Sequence, residues 1–119
     1  MSEELKQKFL PDEYIFRQGE KGNKAYLLLD GRVAIEVNEK KVSEISEMEI
    51  FGEMSLILKK PRSASIRVLK PSVVLPIDQI ILNELLEKSP PVIKSIVKQL
   101  SYRLAQCDKE IQAFKNKTI

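Results

Sequence analysis

The sequence predicts a mainly β chain with flanking helices, of the α+β class, whose antiparallel strands close into a barrel or jelly roll. Three observations carry this. Short β-rich runs recur at even spacing up to about Ile77, tight turns join them, and helical periodicity takes over after Asp78. At 119 residues the chain is expected to be one domain, with strands over about 8–78 and helices over about 79–115.

A short polar helix is expected from Ser2 to Lys8, with Ser2 as cap and glutamates in its first turn. Next, "AYLLLDGRVAIEVN" predicts a hairpin turning at Asp30-Gly31, because Val33, Ile35 and Val37 alternate with Ala34, Glu36 and Asn38. "NEKK" makes a polar turn into "VSEIS". The runs "ASIRVL" and "SVVLPI" are separated by the break signal Lys70-Pro71, and Pro76 places its strand at an edge or a bulge. "DQIILNELLEKS" then reads as a helix capped by Asp78. The chain breaks at Pro90-Pro91 and restarts as a helix to about Lys115. In this last helix Ile93, Val97, Leu100, Leu104, Cys107, Ile111 and Phe114 follow steps of four and three. That heptad seam predicts a homodimer through the helix, with Ile96 and its neighbours facing the barrel.

Composition narrows the function classes. With 43% hydrophobic and 31% charged residues the balance is globular. No apolar run approaches the roughly 20 residues of a membrane span, and "MSEELKQKFLPDEY" lacks a secretory pattern, so a cytoplasmic location without membrane contact is expected. Cys107 is the only cysteine and histidine is absent, which excludes an internal disulfide, cysteine-rich metal sites, histidine triads and most zinc chemistry. No metal is expected. The net charge of +3 suits a small anionic ligand and falls short of a nucleic-acid footprint.

The stretch "FGEMSLILKKPRSAS", Phe51 to Ser65, carries the chemistry. Gly52 permits close backbone approach, and "EMSLIL" suffices for one or two helical turns whose free N–H groups suit an anion. Arg62 follows nine residues after Glu53, launched by Pro61 among small residues, and offers a planar fork to a phosphate. Glu53 only accepts hydrogen bonds while ionised, so it would address a different part of the ligand, such as a sugar hydroxyl. The pair suggests a ribose phosphate; an ion pair on a surface loop fits the residues equally well.

This stretch closely resembles the phosphate-binding cassette of the cyclic nucleotide-binding domain family, Phe-Gly-Glu, a small apolar helix, then Pro-Arg-x-Ala-Ser/Thr. "YIFRQGEKGNKAYLLLDGRVAI" is similar to the family's first strands, with Gly19, Gly22 and Gly31 at turns, and the chain from Pro90 resembles its hinge and lid helix. The resemblance implies a β-roll flanked by helices. It also implies that Glu53 holds the ribose 2′-hydroxyl and Arg62 the exocyclic phosphate oxygens, while Gly52, Met54, Ser55 and Ala64 line the pocket or donate N–H groups. Ser63 stands where threonine accompanies cGMP preference and alanine accompanies cAMP; serine fits either, so the implied ligand is cAMP or cGMP, with cAMP expected more than cGMP. The purine would be covered by the last helix at Arg103, Cys107 or Asp108: Arg103 by stacking, Asp108 by accepting from an amino group, with Cys107 better placed in the seam. Two family glycines are replaced here by Asp12 and Met48; aspartate tolerates the turn, whereas Met48 predicts an altered one.

On this reading the chain is a receptor and not an enzyme, since no base, metal cluster or nucleophile is placed to attack the phosphodiester. The lid helix would close over the bound base and pass the signal to a partner that the sequence does not name. The "MSEELK" start and "KNKTI" end predict a stand-alone receptor. The rival is a scaffold that keeps the fold without binding nucleotide; a DNA-binding regulator would need a recognition helix, and the lid helix is too weakly basic to be one.

Overall fold

The computed structural model describes the backbone of residues 5–117 and side chains as far as Cys107. The chain divides after Gln79 into two compact units.

The first unit is an antiparallel roll. It contains β1 (Gln7–Phe9), β2 (Tyr14–Phe16), β3 (Ala25–Val37), β4 (Lys40–Ile45), β5 (Ile50–Phe51), the helix α1 (Glu53–Leu58) and β6 (Ser65–Ile77). The sheet order is β1-β6-β3-β4, with β2 also on β6 and β5 also on β3. Leu28, Val33, Ile45, Phe51, Ile66, Val68 and Val74 form the buried core, and Phe9, Ile15, Phe16, Tyr26 and Ile35 pack against it.

Three local expectations are corrected. The helix from Ser2 to Lys8 begins outside the described residues, and Gln7–Phe9 is a strand paired with Val74, Val73 and Ser72. So short a helix is marginal by itself, and burying Phe9 against the core together with a ladder outweighs it. Nor is there a hairpin at Asp30-Gly31. β3 runs through it as one 13-residue strand beside an equally long β6, which likewise runs through Lys70-Pro71. The two strands bend together, with register shifts between Leu28 and Val33. Gly31 makes this possible, for it has φ +110° and a Cβ there would lie 2.2 Å from Ser72 Oγ. The third correction is Met48. It takes the left-handed conformation itself, φ 68°, and its N–H donates to the Leu28 carbonyl at 2.7 Å, so the turn is kept with the side chain 68% exposed.

Other readings hold. "NEKK" is a tight turn with positive φ at Asn38 and Glu39, which suits the strand twist. Pro76 stands beyond Val74, where the β1 pairing ends, so β6 is locally an edge there.

One polar network lies across the sheet. Glu36, 8% exposed, accepts from Arg67 Nε at 2.6 Å and from the Tyr14 hydroxyl at 2.9 Å, and Arg67 also reaches Asp12. The Arg67 hydrogen bond, reinforced by Tyr14, holds the Glu36 carboxyl below its ordinary pKa. A depressed carboxylate contributes stability above its unfolded pKa and loses it as pH falls through the folded value. Melting temperatures of wild type and Glu36→Gln should therefore converge as pH drops from neutral towards about 3. A gap that stays constant with pH would show that the charge of Glu36 contributes nothing.

The second unit contains α2 (Gln79–Glu87) and α3 (Pro91–Lys117). α2 stops before the two prolines, where the Ser89 N–H donates to the Leu86 carbonyl, and Pro91 opens α3, where a missing N–H costs nothing. Along the expected seam Ile93, Leu100 and Cys107 are exposed, Leu100 by 60%, and Val97 and Leu104 are half-buried. Ile111 and Phe114 lie outside the described side chains. Ile96 is 52% exposed. No helix among the described residues is long and apolar enough to cross a membrane.

Candidate functional site

The site is built on the short connection from β5 to β6. Gly52 adopts φ 75° and turns the chain from β5 into α1, while Lys59, also left-handed, ends the helix. Ser55, buried within α1, donates its hydroxyl to the Lys60 carbonyl at 2.9 Å and closes the loop that delivers Pro61 and Arg62. The Arg62 backbone is then stitched to an earlier turn. Its N–H donates to the Glu20 carbonyl and its carbonyl accepts from the Gly19 N–H, both at 2.8 Å.

The Arg62 side chain is 5% exposed. Its Nη1 donates to the Gly52 carbonyl at 3.0 Å, and its Cζ sits 3.9 Å above the centroid of Phe16 and 5.9 Å from that of Tyr26. Those rings pack with Phe51, Tyr26 and Phe51 being stacked at 5.5 Å. Burial lowers the guanidinium pKa, with Tyr26 and Glu20 opposing the shift, and arginine starts so high that it stays a cation. Nε is buried with no hydrogen-bond partner among the described residues. A buried charge in this condition is costly unless an anion meets it.

Gly52, Glu53, Met54, Ser55, Arg62, Ser63 and Ala64 all line one cavity of about 290 Å³. The seven residues singled out from the sequence are thus brought together, with Phe16, Ile35, Ser43, Glu44, Ile45, Glu49, Ile50, Phe51 and Ile66 completing the wall. Two wall carboxylates are engaged already. Glu44 is bonded by Lys41 and Arg32, which hold its pKa down, and Glu49 accepts from the Ser46 N–H at 3.0 Å. An anion entering the cavity therefore meets Arg62 beside Glu53, Glu49 and a Glu44 whose charge Lys41 and Arg32 offset.

These features match a recorded family. Residues 6–89 fit the model of the cyclic nucleotide-binding domain. The chain belongs to that family. Among similar proteins, the cGMP-dependent protein kinase of Eimeria tenella is 35% identical over 80 residues, 67% of this chain and 8% of the kinase. The cAMP-dependent protein kinase regulatory subunit of Candida albicans is 42% identical over 62 residues, 51% of this chain and 14% of the subunit. The chain thus spans a small fraction of these relatives. Among solved structures, the half-site-occupied form of the EAL enzyme Bd1971 superposes with a TM-score of 0.81 at 29% identity, covering 87% of this chain and 96% of that one. The cAMP-bound and cGMP-bound forms of the same enzyme, each 28% identical, give 0.63 and 0.65 over 94% of this chain and 34% of theirs.

The family's fold, an antiparallel roll with helices, is the one observed, and its ligand class is the cyclic nucleotide. The expected lid residues Arg103 and Cys107 are exposed on α3, and the side chain of Asp108 lies outside the described residues. Phe16 and Gly22 escaped the sequence reading as neighbours of Arg62. Gly22 was legible only as a turn glycine, yet its φ is not positive; what it supplies is space, since a Cβ there would lie 2.2 Å from Arg62 Nε.

Proposed function

We propose that this chain is a cyclic nucleotide receptor module that binds 3′,5′-cAMP more tightly than cGMP and performs no chemistry on it. Arg62 carries the reading. It is a buried cation, its Nε without a partner among the described residues, in the wall of a cavity that Gly52, Ser55, Ser63 and Ala64 help to line, and a phosphate there would meet its charge. Glu53, the first residue of α1 and part of the same wall, is the group for the ribose 2′-hydroxyl. Gly52, Met54, Ser55 and Ala64 shape the pocket, and Ser63, exposed, lines the same wall. Relatives of both cAMP and cGMP type support the class.

In this reading residues 1–119 act as one binding domain, with the roll as receiver and α2 and α3 as hinge and lid. The purine is covered by Arg103, Cys107 or Asp108. Binding shifts the population of lid conformations, and a cytoplasmic protein partner reads the shift. The exposed apolar residues of α3 support pairing with a second copy through Ile93, Val97, Leu100, Leu104 and Cys107, continuing to Ile111 and Phe114. Charged residues at both Leu100 and Leu104 should convert a dimer to monomers by light scattering; an unchanged mass would remove the seam from the interface.

Calorimetry on protein refolded to strip bound nucleotide, with cAMP, cGMP and 5′-AMP in parallel, tests the central claim. Saturable heat for the cyclic nucleotides, larger affinity for cAMP and little heat for 5′-AMP are expected. Folded protein that gives no heat with any of them is a scaffold, and the receptor reading falls.

A further inference from the structure

We infer that Phe16 and Gly22 are positioning residues for phosphate recognition, seating the Arg62 guanidinium before a ligand arrives. The inference takes its ligand from the receptor reading and its geometry from the roll. An arginine is ordinarily fixed by the hydrogen bonds of its fork. Here the fork is underused, with Nη1 on the Gly52 carbonyl and Nε buried without a partner among the described residues. A rotamer that gave Nε a partner would be preferred unless packing opposed it. The packing is the Phe16 ring, 3.9 Å from Cζ, and the bare backbone of Gly22, where a Cβ would stand 2.2 Å from Nε and 2.4 Å from Cζ. A cation–π contact removed from water is strong enough to hold this arrangement.

The glycine is a clean probe because its φ lies outside the left-handed region. Alanine at 22 meets no left-handed φ, and the atoms its methyl group would strike are those of the Arg62 guanidinium. Phe16 sits on β2 and Gly22 in the loop before β3, far from the cassette in sequence.

The test combines affinity with a signal that a merely structural role does not move. In ligand-free wild type the Arg62 Nε–H proton, lying near the Phe16 ring face, should give a slowly exchanging, ring-current-shifted NMR resonance. Phe16→Leu should erase the shift and weaken cAMP binding about tenfold, and Phe16→Tyr should restore both. Gly22→Ala should move the resonance and weaken binding about a hundredfold. An Nε–H resonance without ring shift in wild type, or one unmoved in Phe16→Leu and Gly22→Ala, overturns the inference. Wild type that binds neither cAMP nor cGMP sinks the receptor reading instead, and the ligand-free resonance still decides whether Phe16 and Gly22 seat Arg62. Should Phe16→Leu fail to fold, Gly22→Ala and the wild-type shift decide.

Discussion

Arg62→Ala should weaken cyclic nucleotide binding by about 10² to 10⁴-fold. Two charge-assisted hydrogen bonds to a phosphate contribute about 1.5–3 kcal/mol each, and alanine removes both along with the only cation among the described residues that line the cavity. The fold should tolerate the change. The same substitution removes a buried guanidinium whose Nε has no partner among the described residues, which offsets the lost contacts with Phe16 and the Gly52 carbonyl. Arg62→Lys should recover part of the affinity, because it keeps the charge and loses the fork. Calorimetry with cAMP, run beside a denaturant titration of the ligand-free proteins, separates the two effects. Native-like affinity in Arg62→Ala would remove the cassette arginine from the binding site altogether.

The largest expected loss of stability belongs to Gly31→Ala. Two terms add. A left-handed φ costs alanine about 1–2 kcal/mol, and a Cβ 2.2 Å from Ser72 Oγ and 2.7 Å from Ser72 Cα forces overpacking that costs about 1–3 kcal/mol more. Ser72 cannot step aside, being 2% exposed with its hydroxyl donating to the Lys70 carbonyl at 2.7 Å. Gly19→Ala is the control, since Gly19 has φ +88° with nothing within 4 Å of an added Cβ, and only the first term applies. Thermal melts should rank wild type above Gly19→Ala and Gly19→Ala well above Gly31→Ala. Equal losses in the two variants would mean that the bend at Ser72 yields and that only backbone strain is measured.

The candidate site was legible because it is written in one continuous stretch. Phe51 to Ser65 spans a strand end, a six-residue helix and a loop, so its spacing places Gly52, Glu53, Arg62 and Ala64 on one short connection. Phe16 and Gly22 stand some forty residues earlier and left no signal at that range. The turn at Met48 escaped for another reason. A positive φ is expected of glycine, and methionine adopts it here because backbone bonds to Leu28 hold the turn while the exposed side chain meets no obstacle.

By itself the sequence determined the class of the chain, the positions where strands give way to helices, and the cassette, since each rests on local periodicity, turn chemistry or a contiguous motif. The tertiary structure decided which strands pair. β3 and β6 run side by side through Gly31 and Pro71, where local signals predicted turns, because a 13-residue antiparallel ladder buries Leu28, Val33, Val68 and Val74 in one core. The pairing with β6 likewise drew Gln7 and Lys8 out of their predicted helix. Non-local burial and hydrogen bonding outweigh local propensities of about 1 kcal/mol or less per residue. For the same reason only the folded roll shows what surrounds Arg62, an aromatic ring on one side and the absence of a side chain on the other.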